Sequence, residues 1–378
     1  MAKDQDLDAA AADPFLLEKL YPDATTLFST HVVGSVSDGS ILVAFDTNSL
    51  LLPYQLKGGD LEEITKVLTK LSDEKRLFVP DRVVREFAKH RDSDLAKVIH
   101  ALNLRKAVPS GEMPPMIREM GGHEEAQSAY DDLLEAHKKY AKKLDGLIQK
   151  IKKWRGDDPV SNLYEQVFDA ESIIKLPNDE ADKEKYLEEL RWRFDNKVPP
   201  GYKDASKDDL GIGDFLIWKA LLQLGSSEKK DLAFVTGEQK ADWFVRGDKE
   251  APYLRYELID EYRRASGGKA VRLLTFNQLL KEMEAPDAVV KKVRKAEEEA
   301  NTALLKARMD RVAGLSTSLA KTLREQGDLS PSEFDKWIVH ASKLSLSREL
   351  VRKWADYIKE TPTVLPSAED LPEEDGDQ

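Results

Sequence analysis

Within its first quarter the chain reads Ile41-Leu42-Val43-Ala44-Phe45-Asp46-Thr47-Asn48. Five apolar residues in a row, with β-branched and aromatic members, are typical of a strand that is buried on both faces. The run stops at three polar residues of the kind that cap a helix after a strand. The stretch therefore predicts a buried strand with polar side chains at its carboxyl end.

Three further apolar runs predict strands, and helical patterns separate them. The runs are Leu77–Val79, Leu232–Val235 and Val271–Leu274. Helices are expected at Pro14–Leu20, Leu61–Leu71, from Asp81 past Leu102, and at Glu180–Phe194, Ile212–Leu224 and Tyr253–Ala265. Strands that alternate with helices favour a parallel sheet covered by helices on both faces. The predicted fold class is therefore α/β.

The clearest periodicity in the chain lies between residues 126 and 154. Apolar and aromatic residues recur there four and three positions apart in alternation, at Ala126, Tyr130, Leu133, His137, Tyr140, Leu144, Leu147, Ile151 and Trp154. Such spacing is a heptad pattern, and one helix of this length reaches on the order of 45 Å. The pattern predicts a helical arm that packs on another helix, on a second protomer or on a partner protein.

Composition narrows the classes of function open to these 378 residues. The chain has no cysteine, which excludes disulfides, thiolate zinc sites and cysteine nucleophiles and agrees with a cytoplasmic location. A net charge of −12 argues against broad, nonspecific binding of nucleic acid, although a metal site needs local carboxylates. The polar N-terminus is unlike a secretory signal, and no apolar run suits a membrane span.

Acidic residues lie at the ends of the predicted strands. Asp46 and Asn48 follow the first strand, Glu86 lies on the helix after the second, Asp214 begins the helix before the third, and Glu238 follows the third. Ligands of open parallel sheets bind beyond the carboxyl ends of the strands, so these side chains are expected to meet in one cleft. Clustered carboxylates repel one another, and one or two divalent cations remove that conflict.

Each acidic residue also has an ordinary structural interpretation. Asp46 and Asp214 suit helix starts, Glu86 suits a solvated helix face, and Glu238 suits a loop. Their joint placement at one edge of the sheet is what favours a metal site. Metal ions at such a site make hydroxide from water and stabilise charge on a phosphate, so no serine, histidine or cysteine nucleophile is required.

Four stretches of the chain resemble the motifs of the PIN-like nuclease superfamily. They are Phe45–Leu51, Val79–Phe87, Gly213–Trp218 and Phe234–Trp243. The chain is most similar to a bacterial branch with a large helical insertion and a Pro-Pro-Gly-Tyr-Lys-Asp element, which is present here at residues 199–204. The likeness covers roughly residues 13–284.

The resemblance implies a three-layer α/β/α fold with a central parallel sheet, and a nuclease that depends on Mg²⁺ or Mn²⁺. The substrate would be RNA or single-stranded DNA. Asp46, Glu86 and Asp214 would bind the metal and catalyse, with Glu238 at the fourth acidic position, and Asn48 would orient Asp46 or bind substrate. Members of this branch often occur as toxins or antiphage effectors, so the same role is expected here.

The fourth motif departs from the family pattern at one position. Glu238 stands where the family has Asp, and its additional methylene group places the carboxylate differently. Asp204 and Asp242 are alternative ligands. Lys203 and Lys240 lie close in sequence to the acids, and each is either a contact to the scissile phosphate or an ordinary surface lysine.

The expected organisation has three parts. A PIN-like domain spans residues 13–284, with a helical insertion at about 105–198. A helical region at 285–362 and an acidic, disordered tail at 363–378 follow. Trp218 and Trp243 are expected in the core or a lid. Besides a metal-dependent endoribonuclease, three alternatives stay open. They are a nuclease that acts on single-stranded DNA, a PIN-like scaffold that has lost catalysis and serves as an interaction module, and a regulated effector that is silent until a partner or an oligomer arranges the arms.

Overall fold

The computed structural model describes residues 13–28, 33–108, 115–202, 211–237, 242–245, 253–303 and 306. Its strands are β1 (Leu42–Phe45), β2 (Leu77–Pro80), β3 (Ile173–Ile174), β4 (Leu232–Val235), β5 (Phe244–Val245), β6 (Tyr253–Leu254) and β7 (Val271–Leu274). Five of them form one parallel sheet, whereas β5 and β6 pair antiparallel in a sheet of their own. The predicted parallel sheet is confirmed, and the four predicted strands are β1, β2, β4 and β7.

The central strand of the main sheet is β1. The strand order is β3-β2-β1-β4-β7, so β1 pairs in parallel with β2 on one side and with β4 on the other. All four residues of β1 are buried, as expected for a parallel strand covered on both faces. The order of the strands reverses between β1 and β4, and in open parallel sheets a crevice forms at the carboxyl ends of the strands beside such a reversal.

Helices cover this sheet and extend away from it. Those described are α1 (Leu16–Leu20), α2 (Thr47–Leu51), α3 (Gly58–Asp73), α4 (Asp81–Leu104), α5 (His123–Ile151), α6 (Pro159–Val167), α7 (Glu180–Asp195), α8 (Ile212–Glu228), α9 (Tyr256–Ser266), α10 (Phe276–Glu282) and α11 (residues 287–303). The helix predicted from Tyr253 was wrong at its start. Tyr253 and Leu254 form β6 because they pair with Val245 and Phe244, and the helix begins at Tyr256.

The range predicted as a helical insertion, about 105–198, contains the predicted arm and also an edge strand. The arm is the single helix α5, which packs on α4. Its Asp145 forms an ion pair with Lys106, two residues beyond the end of α4. The edge strand is β3, where Ile173 and Ile174 pair with Val79 and Pro80 of β2. A strand of two residues is too short to produce a recognisable periodicity, and sequence analysis therefore missed it.

One hydrophobic core holds the sheet and its helices together. Its largest fully buried side chains include Phe45 on β1, Trp218 on α8, Phe234 on β4 and Phe276 on α10. The first helix after residue 284, α11, also packs into this core through Val289, Val293 and Ala296. The rest of the predicted C-terminal region and the acidic tail lie outside the described residues, apart from position 306.

None of the helices within the described ranges is both long enough and apolar enough to cross a lipid bilayer.

Candidate functional site

Asp46 is held in place where the central strand ends. It is the N-cap of α2, because its backbone is extended and its Oδ1 accepts a 2.7 Å hydrogen bond from Thr47 N. Its Oδ2 accepts hydrogen bonds of 2.7 Å from both Asn48 Nδ2 and Thr236 Oγ1. Its own N–H donates to Val235 O, at the end of β4. Asp46 therefore lies beside the reversal of strand order with both carboxylate oxygens oriented.

Asn48 joins the first motif to the fourth. Besides donating to Asp46, its Nδ2 lies 3.2 Å from Thr236 Oγ1. Its Oδ1 accepts a 2.8 Å hydrogen bond from Gly237 N, just beyond β4. Thr236 is almost completely buried, whereas Asn48 is exposed. The predicted role of Asn48 in orienting Asp46 requires a contact between these two residues, and the hydrogen bond from Asn48 Nδ2 is such a contact.

Glu86 contacts the first motif through a buried hydroxyl group. It lies on α4, the helix that follows β2, and its Oε2 accepts a 2.8 Å hydrogen bond from Thr47 Oγ1. Its Oε1 accepts a 2.6 Å hydrogen bond from Arg82 Nε, one helical turn earlier. Thr47 thus touches both acids, since its N–H binds Asp46 and its hydroxyl binds Glu86.

The start of α8 lies against Glu86. A Cβ atom at Gly213 would stand 2.8 Å from Glu86 Oε1 and 3.4 Å from Arg82 Nη2, closer than such atoms normally approach. Asp214, the next residue, is in the first turn of α8 and is partly buried. The third motif therefore adjoins the second at the same edge of the sheet.

The Pro-Pro-Gly element packs on this start of α8. Gly201 has a φ of +95°, and a Cβ there would lie 3.3 Å from Gly211 O and 3.8 Å from Asp214 Cβ. Its N–H donates a 2.8 Å hydrogen bond to Oδ2 of Asp242, which is completely buried. Asp242 therefore already accepts a hydrogen bond within the fold, and a role as substitute metal ligand would compete with that contact.

The two tryptophans near the motifs are core residues, as expected. Trp218 and Trp243 are buried and meet edge to face, with ring centroids 6.0 Å apart. Trp218 Nε1 donates to Glu261 Oε2 at 2.7 Å, and Trp243 stacks on Phe234 of β4. These contacts anchor α8 and the segment after β4 to the core.

Four of the predicted site residues cannot be placed, because Lys203, Asp204, Glu238 and Lys240 lie outside the described residues. Within the described ranges, no group of three histidine or acidic side chains has an arrangement that would hold a metal ion. The described part of the site is therefore a linked pair of carboxylates, Asp46 and Glu86, with the start of α8, which carries Asp214, packed against Glu86.

The chemistry of these donors fits a hard divalent cation. The three predicted ligands that the structure describes are all carboxylates, and Mg²⁺ and Mn²⁺ prefer oxygen ligands. Glu86 is neutralised by Arg82 in this structure, so a cation at Glu86 would have to share or replace that contact. Among the described groups, Asp46 is the best prepared ligand, since its orientation is fixed by three donors.

Four residues that shape this site were not among the predicted site residues: Thr47, Arg82, Gly213 and Thr236. All four lie inside the quoted motifs, which is the one signal that points to them. Their contacts depend on how α2, α4, α8 and the end of β4 meet, which no local sequence pattern predicts.

One of three comparisons with known proteins found a match. A family model described as a PIN-like domain matches residues 42–258, which is more than half of the chain. The matched range begins in β1 and includes all four motifs. Searches among curated proteins and among solved structures each found no match. The chain therefore belongs to the PIN-like domain family, whose members are typically nucleases.

Proposed function

We propose that this protein is a metal-dependent nuclease that hydrolyses phosphodiester bonds, with RNA as its substrate. The acidic residues of its centre would be Asp46, Glu86, Asp214 and Glu238, and its cofactor would be Mg²⁺ or Mn²⁺. The observation that supports this most is the run of contacts from Asp46 through Thr47 to Glu86 and on to the start of α8. Three of the four motifs meet there, and the fourth reaches Asp46 through Thr236.

The described residues of the site have separate tasks in this proposal. Asp46 and Glu86 present oxygen ligands whose positions Thr47 fixes, and preorganised ligands avoid a reorganisation cost during reaction. Asn48 and Thr236 hold Asp46 Oδ2. A bound cation supplies a water of lowered pKa and stabilises charge on the phosphate.

Parts of the proposal rest on sequence alone. Lys203 and Lys240 are proposed to contact the substrate phosphate because they flank the motifs in sequence. RNA is preferred over single-stranded DNA, and an effector role in toxicity or antiphage defence is included, because of the family resemblance. Because the chain has a net charge of −12, a polyanionic nucleic acid has to be attracted by positive charge local to the site.

A cleavage assay tests this function directly. The full chain is incubated with labelled RNA, single-stranded DNA and duplex DNA, with Mn²⁺ or with a chelator. Cleavage of RNA with Mn²⁺, and no cleavage with the chelator, is expected. Asp46→Asn should abolish cleavage without unfolding the chain, because it removes one charge and retains the shape of the side chain. Asp73→Asn, an exposed acid at the end of α3, is the matched control and should cleave normally.

One observation favours a second candidate, a PIN-like scaffold that acts as an interaction module. Glu86 is paired with Arg82, and the described residues alone do not form a group of three ligands. If no nucleic acid is cleaved by the wild-type chain in Mn²⁺, or if Asp46→Asn cleaves as fast as wild type, the nuclease proposal is wrong and the module is favoured.

A further inference from the structure

The large apolar residues in the second half of α5 and just before it divide between two environments. Leu144 and Ile148 are only 5% and 3% exposed, so this edge of the helix is covered. Leu133, Tyr140 and Leu147, at successive intervals of seven, are 49%, 45% and 48% exposed. Residues seven apart lie on one face of a helix, and these three span about 21 Å. The arm therefore carries an open apolar stripe along its outer face.

Small residues complete this stripe. Ala126, Ala129 and Ala136 are exposed and share a heptad register with Leu133, Tyr140 and Leu147. In this register Ala126 and the three large residues occupy a, Ala129 and Ala136 occupy d, and the last two d positions are Lys143 and Lys150. Alternating large and small side chains at a and d allow two helices to approach closely and interlock. We call the three alanines and the three large residues the outer stripe. It is a coiled-coil seam to which no helix of the described chain supplies the second half.

Charge is unevenly distributed along α5. Residues 123–137 contain five carboxylates and no lysine or arginine, at Glu124, Glu125, Asp131, Asp132 and Glu135. Residues 138–151 contain five lysines and a single carboxylate, with the lysines at Lys138, Lys139, Lys142, Lys143 and Lys150. The sign of the charge thus changes near the middle of the helix.

This polarity has a simpler explanation, which accounts for only part of the pattern. Carboxylates near the N-terminus and lysines near the C-terminus stabilise any single helix through its macrodipole. That effect is confined to the first and last turns, whereas here the charges fill both halves. It also gives no reason for three large apolar side chains at heptad spacing on the face away from the core.

We propose that the outer stripe binds the outer stripe of a second copy of this chain, with the two α5 helices antiparallel. In that orientation the acidic half of each helix faces the lysine-rich half of the other, and the contact is related by a two-fold axis near residue 137. A parallel pair would place acid on acid and lysine on lysine, which is unfavourable. Charge complementarity therefore selects both the partner and the direction.

Sedimentation of the full chain tests the association. A dimer is expected at micromolar concentrations. Leu133→Lys and Tyr140→Lys should each raise its dissociation constant at least tenfold, because they place a charge in the seam. Leu17→Lys is the control, since Leu17 is an exposed leucine on α1, outside the arm, and its replacement should leave the dimer unchanged. A wild-type chain that is monomeric throughout this range would overturn the proposal.

Charge reversal tests the complementarity itself. One variant replaces four lysines by glutamate, at Lys138, Lys139, Lys142 and Lys143. A second variant replaces four acids by lysine, at Glu124, Glu125, Asp131 and Asp132. Each variant alone should be monomeric, because both halves of its helix carry one sign, and an equimolar mixture should form heterodimers. Self-association of either variant at the wild-type strength, or a mixture that does not associate, would contradict the proposal.

Cross-linking tests the direction, and the absence of cysteine in the chain makes single-cysteine variants unambiguous. With a short bismaleimide linker, Ala136→Cys should couple to itself, because it lies near the two-fold axis. Ala126→Cys and Leu147→Cys should each fail to couple alone and should couple when mixed. A parallel pair would instead couple every variant to itself. Because none of these measurements involves cleavage, the dimer and the nuclease succeed or fail separately.

Discussion

Thr47 Oγ1 donates a 2.8 Å hydrogen bond to Glu86 Oε2, which joins two motifs 39 positions apart in sequence. The same residue donates its backbone N–H to Asp46 Oδ1. Because Thr47 is buried and β1 is the centre of the sheet, this contact ties the position of α4 to the end of the central strand. The hydroxyl group of Thr47 is thus one of the contacts that set the spacing between the two carboxylates, beside the donors from Asn48 and Thr236 to Asp46 and from Arg82 to Glu86.

Thr47→Val removes that hydroxyl and keeps the shape of the side chain. The unfolding free energy should fall by about 1 kcal/mol, since one acceptor of Glu86 loses its partner but stays partly solvated. Activity should fall at least tenfold, because Glu86 is no longer fixed relative to Asp46. Thr47→Ser retains the donor and should keep most of the activity. Turnover measured beside thermal melting separates the two effects, and equal activity in Thr47→Val and wild type would contradict the positioning role.

Gly213→Ala should lower activity with little effect on stability. Its added methyl group would lie 2.8 Å from Glu86 Oε1, and the atom that gives way is the end of a flexible side chain rather than backbone. The glutamate carboxylate is therefore displaced while the helix tolerates alanine well. We expect a melting temperature close to that of wild type and a loss of cleavage of tenfold or more.

Gly146→Ala is the matched control for this substitution. Gly146 lies inside α5, and a Cβ there would meet nothing within 4 Å. Alanine should stabilise the chain by roughly 0.5–1 kcal/mol, as it does in an exposed helix interior. Activity should not change. A Gly213→Ala variant as active as Gly146→Ala would show that Glu86 is not part of the reaction centre.

Glu282 should make stability depend on pH in the acidic range. Burial raises the pKa of this carboxyl, but the stronger combined effect of Arg272, Val36 N–H and the Ser35 hydroxyl lowers it overall. A carboxyl whose pKa is lowered by folding stabilises the native state above its ordinary pKa of 4.5. That contribution is lost as the pH falls below 4.5 through the lowered value.

Glu282→Gln tests this pH dependence. The variant should be less stable than wild type by about 1–2 kcal/mol near neutral pH, because a charge-assisted contact is lost. The difference should shrink as the pH falls below 4.5 and wild type becomes protonated. Glu298→Gln, which breaks an exposed pair with Arg294, should change stability by less than about 0.5 kcal/mol at any pH. Chemical denaturation at several pH values measures both, and a constant difference across pH would refute the assignment.

The central part of the fold was predictable because its signals are local. The five apolar residues before Asp46 identify β1 without reference to any other part of the chain, and Asp46 marks its end. The parallel order follows from the alternation of strands and helices. The contact of Thr47 with Glu86, and the position of the start of α8 beside Glu86, were predictable only as a consequence of that order, since carboxyl ends of parallel strands share an edge.

Other features depend on how elements meet and were not predictable. The heptad on α5 showed that the helix has an apolar seam, but not that Leu144 and Ile148 would be covered while Leu133 and Tyr140 stay open. On a straight α-helix, residues seven apart do not return to the same angle around the axis, so the apolar residues of α5 spread over a wide band. One edge of that band can be covered while the other edge stays exposed. The ion pair between Arg82 and Glu86 could likewise not be predicted from a motif that simply contains both residues.

Calorimetric titration with Mn²⁺ tests the central claim most directly, because it measures whether the acids of separate motifs share a cation. The account predicts saturable binding of one or two ions to the wild-type chain. Asp46→Asn and Asp214→Asn should each weaken that binding at least tenfold, and Asp73→Asn should leave it unchanged. Binding of the same strength to all four proteins, or no saturable binding to the wild type, would contradict the account.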